Sequence, residues 1–118
     1  MNYHLFDSER KVMELIWNYE PVSAKKLSLL AAESIGWNKN TTYTVIKKLE
    51  EKGFVLRNEP GFVCSSLVSR ETVKMSEARS LVNNFFGGSR KALFSALLAD
   101  EELTKEELDE LRSMIEKG

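Results

Sequence analysis

Residues 38–53, NKNTTYTVIKKLEEKG, are the stretch of the sequence that decides the fold. Asn38 is a natural helix N-cap, because its side-chain oxygen can accept a hydrogen bond from a backbone N–H of the first turn. The segment 39–52 contains neither glycine nor proline, and Gly53 stands where a glycine commonly terminates a helix. The stretch therefore predicts a helix that begins after Asn38 and ends before Gly53.

This predicted helix has two contrasting faces when its residues are placed about 100° apart. One side is suited to a core and carries Thr42, Val45, Ile46 and Leu49; the opposite side carries Asn40, Thr44 and Lys47, with Tyr43 beside them. A solvated face is usually filled with Glu and Lys, whereas Asn, Thr and Tyr can reach base edges and phosphates. The pattern favours a DNA-recognition helix, and the alternative is an ordinary polar helix N-terminus.

The flanking segments predict three helices followed by a hairpin. Asp7 and Ser23 are candidate N-caps of two earlier helices, the first over 8–18 and the second ending near Ser34. Two β-prone stretches follow, 54–57 and 62–67, separated by a four-residue turn. This order is typical of a winged helix, in which the third helix enters the major groove and the hairpin is the wing. We therefore expect a mostly α-helical fold with a small β-hairpin, and a winged helix-turn-helix domain over 1–68.

The remainder, 69–118, predicts three further helices. Ser69 and Ser89 are candidate N-caps, and Thr104 with Glu107 forms a capping box. A segment of this size buries too little apolar surface to be stable alone, so we expect a helical dimerisation region whose apolar stripes meet a second copy of the chain. The residues predicted at that surface are Val73, Leu81, Val82, Phe85, Leu93, Leu97, Leu98, Leu108, Leu111 and Ile115.

Charge and composition restrict the classes of function that the chain can have. The 118 residues carry a net charge of -1, yet the window 23–48 holds five lysines and one acid, while 99–118 holds eight acids and three bases. Lys39, Lys47 and Lys48 flank the polar stripe as phosphate contacts would. One cysteine and one histidine leave no metal cluster or catalytic triad. We therefore expect no metal, no cofactor and no enzyme activity.

Several short motifs, in the same order and spacing, resemble the BlaI/MecI-type penicillinase and methicillin-resistance repressor family. They cover nearly the whole chain: Val12-Met13, Ile16-Trp17, Trp37, Thr41, Thr44, LEEKGF at 49–54, Ser66-Leu67-Val68, Gly87-Gly88 and EELDELR at 106–112. The resemblance implies a homodimeric winged-helix repressor that binds a palindromic double-stranded DNA operator. It also implies that Asn38, Asn40, Thr41, Tyr43 and Thr44 lie at the DNA surface.

The same resemblance implies release by proteolysis. A membrane sensor-protease would cut the C-terminal helices near Ser95, Ala96 and Leu97, although the family's Asn-Phe pair is absent there. Two further departures are Tyr43, where the family commonly has Arg or Gln, and Glu59 in the turn of the wing. The C-terminus also lacks the Cys-x-Cys cluster of copper-responsive relatives.

A protein-interaction module with a winged helix that never meets DNA is the alternative from another class. The longest apolar runs hold four residues and no signal region precedes residue 11, so we expect a cytoplasmic protein without membrane insertion.

Overall fold

A computed structural model describes residues 3–117, which form six helices and a three-stranded sheet. In chain order the elements are α1 (Asp7–Tyr19), β1 (Val22–Ser23), α2 (Ala24–Ser34), α3 (Lys39–Glu51), β2 (Val55–Asn58), β3 (Val63–Ser66), α4 (Arg70–Phe85), α5 (Arg90–Leu98) and α6 (Lys105–Lys117). The chain divides into two compact units, the first ending at Glu77 and the second beginning at Ala78. The predicted fold class, mostly α-helical with a small hairpin, is confirmed.

The predicted caps Ser69 of α4 and Thr104 with Glu107 of α6 are present. Those of α2, α3 and α5 are present as well. Ser23 Oγ accepts from the Lys26 N–H at 3.0 Å, Asn38 Oδ1 from the Thr41 N–H at 2.9 Å, and Ser89 Oγ from the Ala92 N–H at 3.0 Å. Each bond satisfies a backbone donor that the helix itself leaves without a partner.

Helix α1 begins one residue earlier than predicted. Phe6, not Asp7, is its N-cap residue, because the Glu9 carboxylate accepts the Phe6 N–H at 2.9 Å. Asp7 instead pairs with Arg10 on the surface, at 2.8 Å. A carboxylate three positions into a helix often reaches back to the cap in this way.

The sheet has the strand order β1-β3-β2, and both pairings are antiparallel. The turn of the hairpin contains four residues as predicted, but it spans 59–62 because Asn58 pairs with Val63. The predicted strand limits are therefore one residue too early at the turn. The two-residue strand β1 was not predicted; Val22 pairs with Cys64 and joins the start of α2 to the wing.

The core of the first unit lies between α1, α2, α3 and the sheet. Its fully buried side chains include Met13 and Ile16 from α1, Leu27 from α2, and Ile46 and Leu49 from α3. Both tryptophans pack against this core at half-buried positions, and Trp17 Nε1 donates to the Val68 carbonyl at 3.0 Å. The core thus fixes α3 against two other helices, with one face left outward.

The second unit has few buried side chains. Val82 is its one buried apolar residue within the described part, 78–117. Its exposed large apolar residues are Leu81, Phe85, Phe94, Leu97, Met114 and Ile115. Within residues 3–117, no helix is both long and apolar enough to cross a bilayer.

Candidate nucleic-acid interface

The two faces of α3 are arranged as the sequence pattern predicts. Thr42, Val45, Ile46 and Leu49 are buried, and Thr42 is fully enclosed although it is polar. The residues predicted to contact DNA lie outside the core; all but one are exposed: Asn38, Lys39, Asn40, Thr41, Thr44, Lys47 and Lys48. The exception is Tyr43, which is half-buried.

Hydrogen bonds within the helix already use some of these polar groups. Asn38 Oδ1 accepts from the Thr41 N–H, which leaves its NH₂ group as the part that can donate to a ligand. The Thr44 hydroxyl donates to the Asn40 carbonyl at 2.9 Å, so its lone pairs and its methyl group remain. The exposed face therefore offers amide groups, a hydroxyl acceptor and methyl groups, a combination suited to the base edges of the major groove.

The lysines of α3 and of the residue that follows it fall into two groups. Lys39, Lys47 and Lys48 have no carboxylate oxygen within 4.0 Å in the described part of the chain, 3–117. Lys52, just after the helix, is by contrast paired with Glu9 at 2.8 Å. The three unpaired ammonium groups are available to phosphates, and Lys25 and Lys26 add exposed positive charge on α2.

In the wing, the positive charge of Arg57 is neutralised by Glu59. Glu59 Oε1 lies 2.6 Å from Arg57 Nε, and the carboxylate also accepts the Phe62 N–H at 3.3 Å. The hydrogen bond from Arg57, and then the one from Phe62, hold the pKa of Glu59 below its ordinary value. The wing thus presents an ion pair in place of a free positive charge.

Tyr43 contacts the wing. Its ring meets the Phe62 ring edge to face, with centroids 5.9 Å apart and planes at 79°. Lys39 Nζ lies 5.7 Å from the Tyr43 centroid. Sequence reasoning placed Tyr43 at the DNA surface and missed Phe62, because the two residues lie on different elements and no local spacing links them.

The ten residues predicted at a dimer surface differ in exposure. Phe85 is 77% exposed, and Leu81, Leu97 and Ile115 are also exposed, whereas Leu93, Leu98, Leu108 and Leu111 are half-buried. The structure places Val73 in the core of the first unit, and Val82 is buried as well. Both valines are thus largely covered within a single chain and offer little exposed surface to a partner.

The predicted cleavage residues lie in a regular helix. Ser95, Ala96 and Leu97 are exposed members of α5. A protease that binds its substrate as an extended strand could cut the peptide bonds of these residues only after α5 unfolds locally.

Within residues 3–117, no three His, Cys, Asp or Glu side chains come together as metal ligands would. Cys64 is fully buried in β3, and burial raises the pKa of its thiol to about 11. A cavity of about 400 Å³ in the first unit has an apolar floor that includes Leu5 and Trp17. Charged residues also line it, among them Arg70 and Glu14, which form an ion pair at 2.9 Å.

The comparison with known families shows to which family the chain belongs. The family model described as penicillinase repressor matches residues 5–117. The chain belongs to the penicillinase repressor family. Members of this family are repressors, and the prediction that the chain is not an enzyme is confirmed.

Individual relatives agree with this membership. The chain is 27% identical to the methicillin resistance regulatory protein MecI of Staphylococcus aureus strain N315, over 98% of this chain and 95% of that protein. It is 29% identical to the penicillinase repressor of Staphylococcus aureus, over 92% and 87% respectively. The penicillinase repressor of Bacillus licheniformis is 23% identical, over 94% and 88%. The similarity therefore extends through both compact units.

Proposed function

We propose that this protein is a transcriptional repressor that binds a palindromic DNA operator as a homodimer. The single observation that carries the proposal is the outward face of α3, where exposed amide and hydroxyl groups stand beside three lysines that have no carboxylate partner among residues 3–117. The buried face of the same helix fixes that surface to α1 and α2. Membership of a repressor family supports the same conclusion.

The residues on this face would have two kinds of role. Asn40, Thr41 and Thr44 are proposed to contact base edges, since asparagine can bind adenine through two hydrogen bonds and a threonine methyl packs on thymine. Asn38 would add its free NH₂ group. Lys39, Lys47 and Lys48 would contact phosphates, which sets the orientation of the helix without reading the sequence.

A homodimer would deliver two such helices to two half-sites. The second unit supports this proposal, because exposed apolar side chains such as Phe85 and Leu97 are costly to leave in water. An isologous contact between two copies would cover the exposed apolar residues of both copies at once. Its two-fold axis would match a palindromic site.

Release from DNA is proposed to follow cleavage in α5, near Ser95, Ala96 and Leu97, by a membrane sensor-protease acting on a cytoplasmic repressor. The exposure of these residues and membership of the family support this proposal. Cleavage there would separate Leu98 and α6 from the DNA-binding half of the chain.

Selection from a random-sequence DNA pool followed by a salt titration tests the proposal. We expect the protein to recover a palindromic duplex, and we expect the logarithm of its affinity to fall linearly with the logarithm of salt concentration because bound phosphates release counterions. Failure to enrich any duplex would refute DNA recognition. An affinity for another protein with little salt dependence would favour the interaction-module alternative.

A further inference from the structure

Phe62 has an unusual backbone conformation for an aromatic residue. Its φ is 49°, in the left-handed region, which a residue with a Cβ adopts only at an energetic cost. A glycine would adopt the same conformation without that cost. Such an outlier persists only where the surrounding contacts hold it, so the contacts of Phe62 indicate what the strain serves.

The ring of Phe62 lies between a cation and a second aromatic ring. The Arg57 guanidinium carbon is 3.7 Å from its centroid, within the range of a cation–π contact. The Tyr43 ring meets it edge to face at 5.9 Å. Lys39 lies over Tyr43, so a continuous series of contacts, Arg57–Phe62–Tyr43–Lys39, runs from the wing to the first turn of α3.

The backbone of Phe62 has a further contact. Its carbonyl accepts the Ala24 N–H, at the first residue of α2, over 2.9 Å. Beside it, Val63 pairs with Ser23 in the sheet. Phe62 therefore touches all three parts that a winged helix must keep in register, namely the helix before the turn, the recognition helix and the wing.

We propose that Phe62 is a positioning residue for DNA recognition: it holds the Tyr43 ring and thereby sets the first turn of α3 relative to the wing. Tyr43 acts in this arrangement through its ring, as a support, and does not read bases. The inference rests on the proposed DNA-binding function. Both Phe62 and Tyr43 are half-buried at the edge of the core, so the contact adds orientation more than burial.

Four variants of the full-length chain test this role. Phe62→Gly removes the ring and also relieves the backbone strain, so a loss of binding cannot be assigned to a strained backbone. Phe62→Tyr keeps the ring. Tyr43→Phe removes only the hydroxyl. Tyr3→Ala is the matched control, because it removes another edge-to-face pair, Tyr3 with Phe54 at 6.2 Å, from the first unit.

The probe is a duplex of about 30 base pairs that the unaltered protein recovers from a random pool, long enough for two half-sites; a shuffled duplex of the same composition is the reference. We expect Phe62→Gly to bind the selected duplex about 10- to 100-fold more weakly, with the shuffled duplex changed less than about 3-fold, because only the aligned helix reads bases. Phe62→Tyr and Tyr43→Phe should stay within about 3-fold of the unaltered protein. Tyr3→Ala should lower the melting temperature and leave both affinities unchanged.

Three results would overturn the inference. Equal losses on the selected and shuffled duplexes would assign Phe62 to general binding or folding. Unchanged binding by Phe62→Gly would show that the ring is dispensable. A selective loss in Tyr43→Phe equal to that of Phe62→Gly would make Tyr43 a base reader through its hydroxyl. If the unaltered protein recovers no duplex at all, the proposed function itself fails, and that outcome is distinct from the other three.

Discussion

Glu9 and Lys52 form an ion pair, with Lys52 Nζ 2.8 Å from Glu9 Oε1, that joins α1 to the residue after α3. The Glu9 side chain is only 4% exposed, and the Lys52 side chain is 34% exposed. The same Glu9 oxygen accepts the Phe6 N–H, while Lys52 also donates to the His4 carbonyl at 3.1 Å. One buried carboxylate therefore fixes the start of α1 and the end of α3 together.

This ion pair predicts an acid-dependent loss of stability. Burial alone would raise the pKa of Glu9, but the Lys52 ammonium and the Phe6 N–H outweigh it and hold the pKa below the ordinary value of 4.5. A carboxyl whose pKa is lower in the folded state stabilises the fold above its unfolded-state pKa, and the contribution disappears as pH falls through the folded-state pKa. We expect Glu9→Gln to lower the free energy of unfolding at pH 7 by about 1–3 kcal/mol.

Urea denaturation at neutral pH and again below the folded-state pKa of Glu9 would measure this. The gap between Glu9→Gln and the unaltered protein should shrink at the acidic pH, where both carry a neutral side chain at this position. Asp7→Asn is the matched control, because its carboxylate is 83% exposed and surface ion pairs contribute little. A gap of equal size at both pH values would contradict the assignment.

Local features of the fold were predictable from the sequence because their causes are local. The Asn38 cap lies three residues from its donor, and the buried face of α3 repeats at helical spacing. Glu9 and Lys52 are 43 positions apart, and no periodic pattern connects them. The strand β1 was missed because two residues are too few to produce an alternating pattern, and its pairing with β3 depends on the finished fold.

The candidate site likewise has features that the sequence predicts and features that it does not. The exposed residues of α3 could be predicted, since one buried face of a helix defines the opposite face. The partners of Tyr43 could not, because Phe62 approaches it only after the hairpin folds back on the helix. Val73 shows the converse limit: an apolar residue on a helical stripe can face a partner or its own core, and here the core of the first unit covers it.

The exposed face of α3 predicts a separation between base reading and phosphate contact. Asn40→Ala should weaken binding to a selected duplex by about 1–3 kcal/mol and have little effect on random duplex. Lys47→Ala should weaken both alike and reduce the salt slope by about one. Lys91→Ala, an exposed lysine of α5, is the matched control and should change neither. Competition titrations at several salt concentrations measure all three; equal losses for Asn40→Ala on both duplexes would remove it from base reading.

The wing predicts that removal of a negative charge strengthens DNA binding. The Glu59 carboxylate neutralises Arg57 at 2.6 Å, so Glu59→Gln should leave a free cation near the phosphates. We expect tighter binding to selected and random duplexes alike, with a salt slope steeper by about one. Glu33→Gln, on α2, removes the same charge from an exposed position that has no ion pair among residues 3–117. A gain of equal size in Glu33→Gln would assign the effect to net charge instead of the wing.

The second unit predicts dimerisation through its exposed apolar residues. Phe85→Glu or Leu97→Glu should convert a dimer to a monomer, because a charge buried without a partner at an interface is costly. Sedimentation equilibrium at micromolar concentration would show the change in mass. Leu29→Glu, at an exposed leucine of α2, is the matched control and should leave the mass unchanged. A monomeric unaltered protein would refute the homodimer.

Cleavage of α5 should weaken binding to a selected duplex. Cutting the chain near Ser95, Ala96 and Leu97 separates Leu98 and α6 from the first unit. If those segments join the two copies, the second half-site is no longer presented at high effective concentration, and operator affinity should fall by roughly 100-fold or more. A specific protease site placed in α5 and cut to completion tests this by titration of a selected duplex before and after cleavage. The melting of the first unit should not change, because none of its core residues lies beyond Val73. Unchanged affinity after complete cleavage would show that the segment does not hold the dimer together, and that release from DNA does not depend on α5.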